Sequence, residues 1–186
     1  TIARKKRLFI QAPTGVGKTL SVLFPALKAM GEGLASRIFY LTARTITRTV
    51  AVDALDLLRQ QGMELKTVVL TAKEKLCVCE KPECDPDHCP RAKGHFDRIN
   101  QAVYELWTTG PDAYTREVIL ESAERYKVCP FELSLDLAVW VDTLICDYNY
   151  VFDPNVSLKR FFADGVKEDY LFLIDEAHNL VERGRE

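Results

Sequence analysis

The segment Ala12–Thr19 constrains the fold of this 186-residue chain more than any other feature, because it places two glycines and a lysine between two different apolar patterns. The short apolar run Arg7–Gln11 before it predicts a strand, and the apolar spacing over Lys18–Gly31 predicts a helix. Gly15 and Gly17 permit the backbone angles that turn amide N–H groups inward around phosphate oxygens. A strand–loop–helix setting therefore favours a phosphate-binding loop over a plain glycine-rich turn.

This loop offers each group that a nucleoside triphosphate and Mg²⁺ require. The amide N–H groups of a helix N-terminus attract phosphate, Lys18 can reach the β- and γ-phosphates, and the Thr19 hydroxyl can hold Mg²⁺. We therefore expect ATP and Mg²⁺ as cofactors. The expected contact residues in the loop are Thr14, Gly15, Val16, Gly17, Lys18 and Thr19.

The rest of the chain alternates strand patterns with helical patterns. Further strands are predicted at Arg37–Leu41, Thr67–Leu70, Thr143–Cys146 and Tyr170–Ile174, and helices at Thr45–Gln61, about Asp97–Trp107 and Ala113–Tyr126. Such alternation predicts an α/β fold, with a parallel sheet covered by helices on both faces. A stretch rich in cysteines and turns interrupts it. The expected domain ranges are 1–72 and 143–186 for the sheet domain and 73–142 for a mostly helical insertion.

Two carboxylates follow the last predicted strand, in the sequence Asp175-Glu176-Ala177-His178. Ligands of parallel α/β sheets bind beyond the carboxyl ends of the strands. Asp175 is therefore placed to hold Mg²⁺ directly or through water, and Glu176 to polarise an attacking water as a general base. Alone, the pair could simply cap the next helix. Together with the upstream loop, it predicts a site for ATP hydrolysis with Lys18, Asp175 and Glu176 as catalytic residues.

The net charge of −2 conceals an uneven distribution. Residues 1–50 hold nine basic side chains and one acidic side chain, whereas residues 51–186 hold 16 basic and 26 acidic side chains. Contact with nucleic acid is therefore expected first in the N-terminal third, although a solvated basic face fits the charge equally well. No apolar run approaches the roughly 18–20 residues of a membrane span, and the basic, polar start does not resemble a signal peptide. These features favour an intracellular domain without a membrane partner.

Six cysteines lie at positions 77, 79, 84, 89, 129 and 146, and four of them fall within 13 residues. This clustering is hard to explain by core packing, and a chain without a secretory signal favours a metal site over disulfides. The spacing matches neither a zinc ribbon nor a ferredoxin run, so spacing alone leaves zinc and iron–sulfur open. Cys146 ends an apolar strand and is expected to be a core thiol.

Three segments resemble motifs of superfamily 2 helicases: Ala12–Thr19 resembles motif I, Leu41–Thr45 motif Ia and Asp175–His178 motif II. The cysteines between motifs Ia and II, and the later segment Asp147–Pro154, make the whole chain similar to the XPD/DinG (Rad3-related) family of iron–sulfur DNA helicases. The resemblance implies a RecA-like P-loop NTPase domain interrupted by an insertion that holds a 4Fe–4S cluster.

The same resemblance assigns roles to individual residues. It implies Cys77, Cys84, Cys89 and Cys129 as cluster ligands, with Cys79 as an alternative to Cys77. It also implies that Thr42, Arg44 and Thr45 contact the phosphates of a single DNA strand, and such contacts carry no sequence information.

The resemblance further implies an ATP-dependent DNA helicase that moves 5′ to 3′ on single-stranded DNA or a forked duplex, in DNA repair or replication. The chain would be the front part of the first motor domain, and a second RecA-like domain would be needed for unwinding. The expected location is the cytoplasm, at the nucleoid of a bacterium, or the nucleus of a eukaryote. Two alternatives stay open: a zinc-stabilised nucleotide-binding module without motor activity, and an RNA-directed ATPase of the same superfamily.

Other side chains could also contribute to these sites. His88 and His95 could bind zinc, although four cysteines already complete a ligand set. Some aromatic side chains could stack on bases, but aromatics at helical spacing belong more often to a core. The aromatic candidates are Phe96, Tyr104, Trp107, Tyr148 and Tyr150.

Overall fold

The structure is a computed structural model that describes residues 1–13, 15–163 and 168–184. After a 3₁₀ turn at Ile2–Arg4, the elements in chain order are α1 (Lys18–Gly31), β1 (Arg37–Leu41), α2 (Thr45–Gln60), β2 (Thr67–Val69), α3 (Lys73–Leu76), α4 (His95–Thr109), β3 (Ala113–Tyr114), α5 (Arg116–Tyr126), α6 (Pro130–Ala138), β4 (Thr143–Cys146), α7 (Asn149–Phe152), α8 (Lys159–Phe162), β5 (Tyr170–Ile174) and α9 (Asn179–Arg183). Among the described residues, β1 pairs in parallel with β4 and with β5, and β2 pairs in parallel with β3, so the α/β prediction is confirmed.

The chain divides into two compact units. The first unit comprises residues 1–65 and 142–186, and the second comprises residues 66–141. These units are defined by their internal contacts. The expected domain ranges, with boundaries after residues 72 and 142, stay a prediction.

The first unit is built around β1, which pairs in parallel with β4 on one side and β5 on the other. Residues Ile38–Leu41 are buried, as expected for a strand covered on both faces. The ring of Phe39 lies 5.2–5.4 Å, between centroids, from four other rings. These rings belong to Phe161, Phe162, Tyr170 and Phe172. α1 and α2 bury apolar stripes that include Leu23 and Leu55.

The strand expected at Arg7–Gln11 is not formed, and that prediction was wrong. A strand needs a hydrogen-bonded neighbour, and no strand of the described chain pairs with this segment. Its apolar side chains are correspondingly exposed, with Phe9 at 87%. The helix expected over Ala113–Tyr126 is also shorter than predicted, because Ala113 and Tyr114 pair with Thr67 and Val68 as β3.

The second unit packs α4, α5 and α6 around a small apolar core that includes Leu133 and Leu137. Arg98 links α4 to the end of α5, because its guanidinium donates hydrogen bonds to the carbonyls of Tyr126 and Lys127. A cation at a helix C-terminus satisfies carbonyls that have no partner within the helix. Across the described residues, no helix combines the length and apolar character needed to cross a membrane.

Candidate functional site

The loop before α1 contains two glycines with left-handed backbone angles. Gly15 has φ +83° and Gly17 has φ +73°, and a Cβ at either position would meet nothing within 4 Å. The backbone angle, rather than crowding, therefore requires glycine at these positions. Gly17 caps α1, and Lys18 Nζ donates a hydrogen bond to the Ala12 carbonyl over 3.2 Å. A lysine and the amides of a first helical turn thus lie together, as phosphate binding requires.

The other expected loop residues can be placed only in part. Val16 is exposed on the loop, and Thr19 lies in the first turn of α1. Thr14 lies outside the described residues.

The loop and the acidic pair meet at the hydroxyl of Tyr40. This hydroxyl lies beside the side chains of both Thr19 and Asp175. Burial raises the pKa of Tyr40 well above its ordinary value, and the nearby charge of Asp175 adds to the increase. The phenol is therefore neutral at physiological pH and keeps its proton for donation. The two side chains expected to hold Mg²⁺ from opposite sides thus share one buried partner.

Asp175 and Glu176 lie just beyond β5. The Asp175 N–H extends the sheet by donating to the Leu41 carbonyl over 2.9 Å, and the Glu176 N–H donates to Asp175 Oδ1 over 3.1 Å. Glu176 itself has φ +48°, which is unusual for a residue with a side chain. Asn179 supports this turn, because its N–H donates to the Glu176 carbonyl and its Nδ2 donates to Glu176 Oε2.

The residues expected to contact DNA follow β1. Arg44 caps α2, its side chain is 66% exposed, and its Nε lies 3.4 Å from Glu176 Oε2. Thr45 is exposed at the start of the same helix. Thr42 is instead buried, and its hydroxyl hydrogen-bonds with the Thr47 hydroxyl. Thr42 therefore stabilises the connection between β1 and α2. One expected DNA-contacting cation therefore touches the expected general base.

Sequence reasoning missed Tyr40 and Tyr148 as parts of this site. The Tyr148 hydroxyl donates to the Asp175 carbonyl and lies 3.3 Å from the Glu176 carbonyl. A tyrosine within an aliphatic buried strand is a usable sequence cue, because a buried phenol needs a hydrogen-bond partner. The identity of that partner depends on strand register and could not be predicted from the sequence.

A pocket in the second unit collects the cysteine thiols. Cys77, Cys84, Cys89 and Cys129 all line it, together with the cations Lys73 and Arg91. The Lys73 side chain lies beside Cys84, and this neighbour raises the pKa of Lys73, whereas burial opposes the increase. The pocket therefore brings together the four expected thiols, with the cations Lys73 and Arg91 and the anion Glu83 in its lining.

Cys129 is held by the start of α6. Pro130 is the first residue of that helix, and the N–H groups of Phe131 and Glu132 lie near the Cys129 sulfur. Burial raises the pKa of Cys129, and these two N–H groups oppose the increase. The Cys129 N–H in turn donates to His95 Nδ1 over 3.3 Å, so His95 fixes the backbone of this cysteine.

The remaining cysteines and His88 occupy distinct places. Cys79 lies beside Cys77 and Cys89 but does not line the pocket, and desolvation and these thiols raise its pKa to about 11. Cys146 is fully buried at the end of β4, as expected for a core thiol. His88 Nδ1 lies 2.8 Å from Asp85 Oδ1, and these two form a group with Glu83, which also lines the thiol pocket.

The aromatic candidates divide between core and surface. Tyr148 and Tyr150 are buried, so neither is available to stack on a base. Phe96 is 85% exposed, and Tyr104 is also exposed on α4. Trp107 packs near Trp140, with ring centroids 6.1 Å apart.

Comparison with protein families gives a match to the DEAD_2 family over residues 41–186. The chain belongs to the DEAD_2 family. The matched range contains the expected DNA-contacting residues, all six cysteines and the acidic pair. The resemblance to XPD/DinG proteins inferred from the motifs is therefore confirmed.

Individual DEAD_2 relatives agree with this assignment. The "Regulator of telomere elongation helicase 1 homolog" of Caenorhabditis elegans is 24% identical to this chain and aligns with 95% of it. The homolog of the same name from Drosophila virilis is also 24% identical and aligns with 92% of the chain. The chain spans 22% of the length of each of these two relatives.

Solved structures reveal the same fold. A structure named "XPD_Helicase" superposes with a TM-score of 0.61 and 20% identity, covering 92% of this chain and 29% of that one. A structure named "Truncated XPD" gives a TM-score of 0.60 and 20% identity, covering 91% of this chain and 47% of that one. The α/β fold of this DEAD_2 chain thus matches the fold of XPD helicases.

Proposed function

We propose that this chain forms the ATP-binding part of an ATP-dependent DNA helicase. The observation that carries the proposal is the packing of α1, which begins at the phosphate loop, against β5, which ends at the acidic pair, because it joins the loop to these carboxylates beside Tyr40. A hydroxyl and a carboxylate supply the oxygen ligands that Mg²⁺ prefers. The residues present therefore fit a magnesium-bound triphosphate.

Each residue has a distinct role in the proposed hydrolysis. Lys18 and the amides of the loop bind the phosphates, while Thr19 and Asp175 would hold Mg²⁺, which neutralises charge that develops on the phosphoryl oxygens. Glu176 accepts a proton from the attacking water as general base. Its carboxylate points to Arg44 and Asn179, which orient it at the carboxyl edge of the sheet.

Lys18→Ala tests the hydrolytic site in the full-length protein that contains this chain. We expect ATP turnover to be abolished, because the substitution removes the cation that contacts the phosphates. Lys28 is an exposed lysine in the last turn of the same helix, so Lys28→Ala is the matched control and is expected to keep wild-type turnover. Unchanged turnover in Lys18→Ala contradicts the loop assignment.

We also propose that the thiol pocket holds a 4Fe–4S cluster. The ligands are Cys77, Cys84, Cys89 and Cys129, and the adjacent Lys73 and Arg91 suit an anionic thiolate cluster. Membership of the DEAD_2 family and the motifs shared with XPD/DinG proteins support this choice over zinc.

Iron and acid-labile sulfide, measured per chain after anaerobic purification, test the cluster. We expect Cys77→Ser to lose iron and Cys79→Ser to retain it, because Cys77 lines the pocket and Cys79 does not. If Cys79→Ser loses iron and Cys77→Ser retains it, Cys79 replaces Cys77 as a cluster ligand. A colourless protein that contains zinc instead supports the alternative of a zinc-stabilised nucleotide-binding module.

The nucleic-acid substrate is proposed to be single-stranded DNA, or a forked duplex, with translocation 5′ to 3′ during repair or replication. Arg44 and Thr45 bind phosphates, and Thr42 supports their loop. Stimulation of ATP turnover by single-stranded DNA, compared with RNA of the same sequence, distinguishes DNA helicase from RNA-directed ATPase. Arg44→Ala is expected to weaken DNA binding similarly for all sequences and to reduce its salt dependence, because it removes one phosphate contact.

The proposed motor requires a second RecA-like domain of the same full-length protein to close on ATP. We propose that residues 1–186 alone bind nucleotide weakly and do not unwind DNA. Strand separation by this chain alone contradicts that limit. The proposed location is wherever the DNA lies: the nucleoid in a bacterial cytoplasm or the nucleus of a eukaryote.

A further inference from the structure

Two tyrosines of the first unit are buried against the proposed hydrolytic site. Tyr40 in β1 is 2% exposed and Tyr148, two residues after β4, is 1% exposed. Phenylalanine would fill either space with the same ring, and β1 already has one at position 39. A buried phenol is costly without a hydrogen-bond partner, so the partners of these hydroxyls indicate what they do.

The side chain of Tyr40 lies beside both expected magnesium ligands. Tyr40 precedes Leu41, whose carbonyl accepts the Asp175 N–H over 2.9 Å, and α1, which begins with Lys18 and Thr19, packs against β1 and β5. The side chains of Thr19 and Asp175 both act on the phenol of Tyr40. A phenol can donate one hydrogen bond to a carboxylate and accept one from a hydroxyl. Tyr40 can thus align both expected magnesium ligands with a single hydroxyl.

The hydroxyl of Tyr148 acts on the neighbouring backbone. It donates to the Asp175 carbonyl and lies 3.3 Å from the carbonyl of Glu176. Glu176 has φ +48°, and a residue with a side chain keeps such an angle only where its surroundings hold it. Tyr148 therefore helps to fix the turn from which the Glu176 carboxylate projects.

We propose that Tyr40 and Tyr148 are positioning residues for ATP hydrolysis. Tyr40 holds Thr19 and Asp175 in the geometry that accepts Mg²⁺, and Tyr148 holds Glu176 in the orientation that activates water. The two tyrosines have this role only if the chain hydrolyses ATP as proposed. Neither residue contacts the reacting atoms.

The Tyr40 role predicts a specific loss of magnesium-dependent binding. In the full-length protein, Tyr40→Phe is expected to weaken binding of a fluorescent ATP analogue about tenfold with Mg²⁺ present, because a hydrogen bond to a charged group is lost. Binding without Mg²⁺ is expected to stay as in the wild type. Equal affinity of wild type and variant in the presence of Mg²⁺ contradicts the role of Tyr40.

The Tyr148 role predicts a catalytic defect with nucleotide binding retained. Tyr148→Phe is expected to lower kcat about threefold to tenfold, as the loss of one neutral hydrogen bond suggests, with little change in KM. Amide hydrogen exchange over residues 175–179 is expected to become faster, because the turn loses its support. Wild-type kcat and wild-type exchange in this variant overturn the role of Tyr148.

Tyr114→Phe is the matched control. Tyr114 is also fully buried, and its hydroxyl donates to the Leu106 carbonyl over 2.9 Å in the second unit. Tyr114→Phe is expected to lose similar thermal stability, with no change in ATP binding or kcat. Equal functional losses in all three variants indicate a merely structural effect and overturn the proposal. Wild-type protein tests the premise separately: if it neither binds nor hydrolyses ATP, the proposed function fails, whatever the tyrosine variants do.

Discussion

At the scale of single residues, the proposed site depends on backbone angles that most side chains avoid. Gly15 and Gly17 have positive φ where the loop must turn amides inward, and Glu176 has positive φ at the end of β5. The glycines reach this conformation freely, whereas Glu176 is held by hydrogen bonds from Tyr148 and Asn179. The two sides of the site thus reach similar backbone angles by different means.

Gly17→Ala is expected to cost about 1–2 kcal/mol of folding free energy, because alanine is strained in the left-handed region. Gly33→Ala is the matched control, since Gly33 has φ +74° against +73° for Gly17, and both face open space. Urea unfolding is expected to show similar losses for both variants. Only Gly17→Ala is expected to weaken nucleotide binding, and an equal loss of binding in Gly33→Ala argues against a specific role of the loop.

Glu176→Gln separates nucleotide binding from hydrolysis in the full-length protein. The amide keeps the shape of the side chain but cannot accept a proton from water, so ATP turnover is expected to fall by about 10²-fold or more. Affinity for ATP is expected to change little. Near-normal turnover in this variant removes Glu176 from the role of general base.

The residues of this site differ in how far they could be predicted. Lys18, Thr19, Asp175 and Glu176 stand in short segments whose spacing reflects the chemistry of phosphate and magnesium, so the sequence alone selects them as candidates, and their roles stay predictions. Tyr40 lies in an ordinary apolar run. Its importance arises only when β1 and β5 pair in register and bring it between two distant segments.

At the scale of elements, the apolar patterns predicted well those strands that have neighbours. β1, β4 and β5 match their expected ranges, because each is a continuous apolar run in a parallel sheet. Arg7–Gln11 has a similar composition but no partner among the described strands. Strand pairing depends on two segments, so the apolar pattern of one segment does not predict it.

Helix α2 offers a test of which apolar face carries stability. Leu55→Ala is expected to cost about 2–5 kcal/mol, because Leu55 is fully buried and its loss leaves a cavity. Leu57→Ala on the exposed face of the same helix is expected to change stability by less than about 0.5 kcal/mol. Denaturant unfolding compares the two variants, and similar losses would mean that the helix packs through a different face.

At the scale of the whole molecule, the two candidate sites belong to different compact units. The phosphate loop and acidic pair lie in residues 1–65 and 142–186, and the thiol pocket lies in residues 66–141. An insertion was predictable because cysteines and turns interrupt the alternation of strand and helix. Its compact extent was not, because β2 and β3 contact the helices of the second unit, and such contacts have no local sequence pattern.

This separation predicts that each site can be lost without the other. Cys84→Ser is expected to remove iron from the full-length protein while its affinity for ATP stays within about twofold of wild type, since the two sites share no described residue. Lys18→Ala is expected to show the reverse, with iron content unchanged. Metal analysis and nucleotide titration of both variants decide the matter, and loss of both properties in either variant contradicts independence.

The ion pair between Arg44 and Glu176 has a thermodynamic consequence for the proposed motor. The Arg44 guanidinium cannot neutralise a nucleic-acid phosphate and the Glu176 carboxylate with equal strength at the same time. A nucleic-acid strand that binds Arg44 therefore changes how freely the Glu176 carboxylate moves. Coupling free energies are reciprocal. If the polynucleotide changes the affinity for ATP through this pair, ATP must therefore change the affinity for the polynucleotide by the same factor.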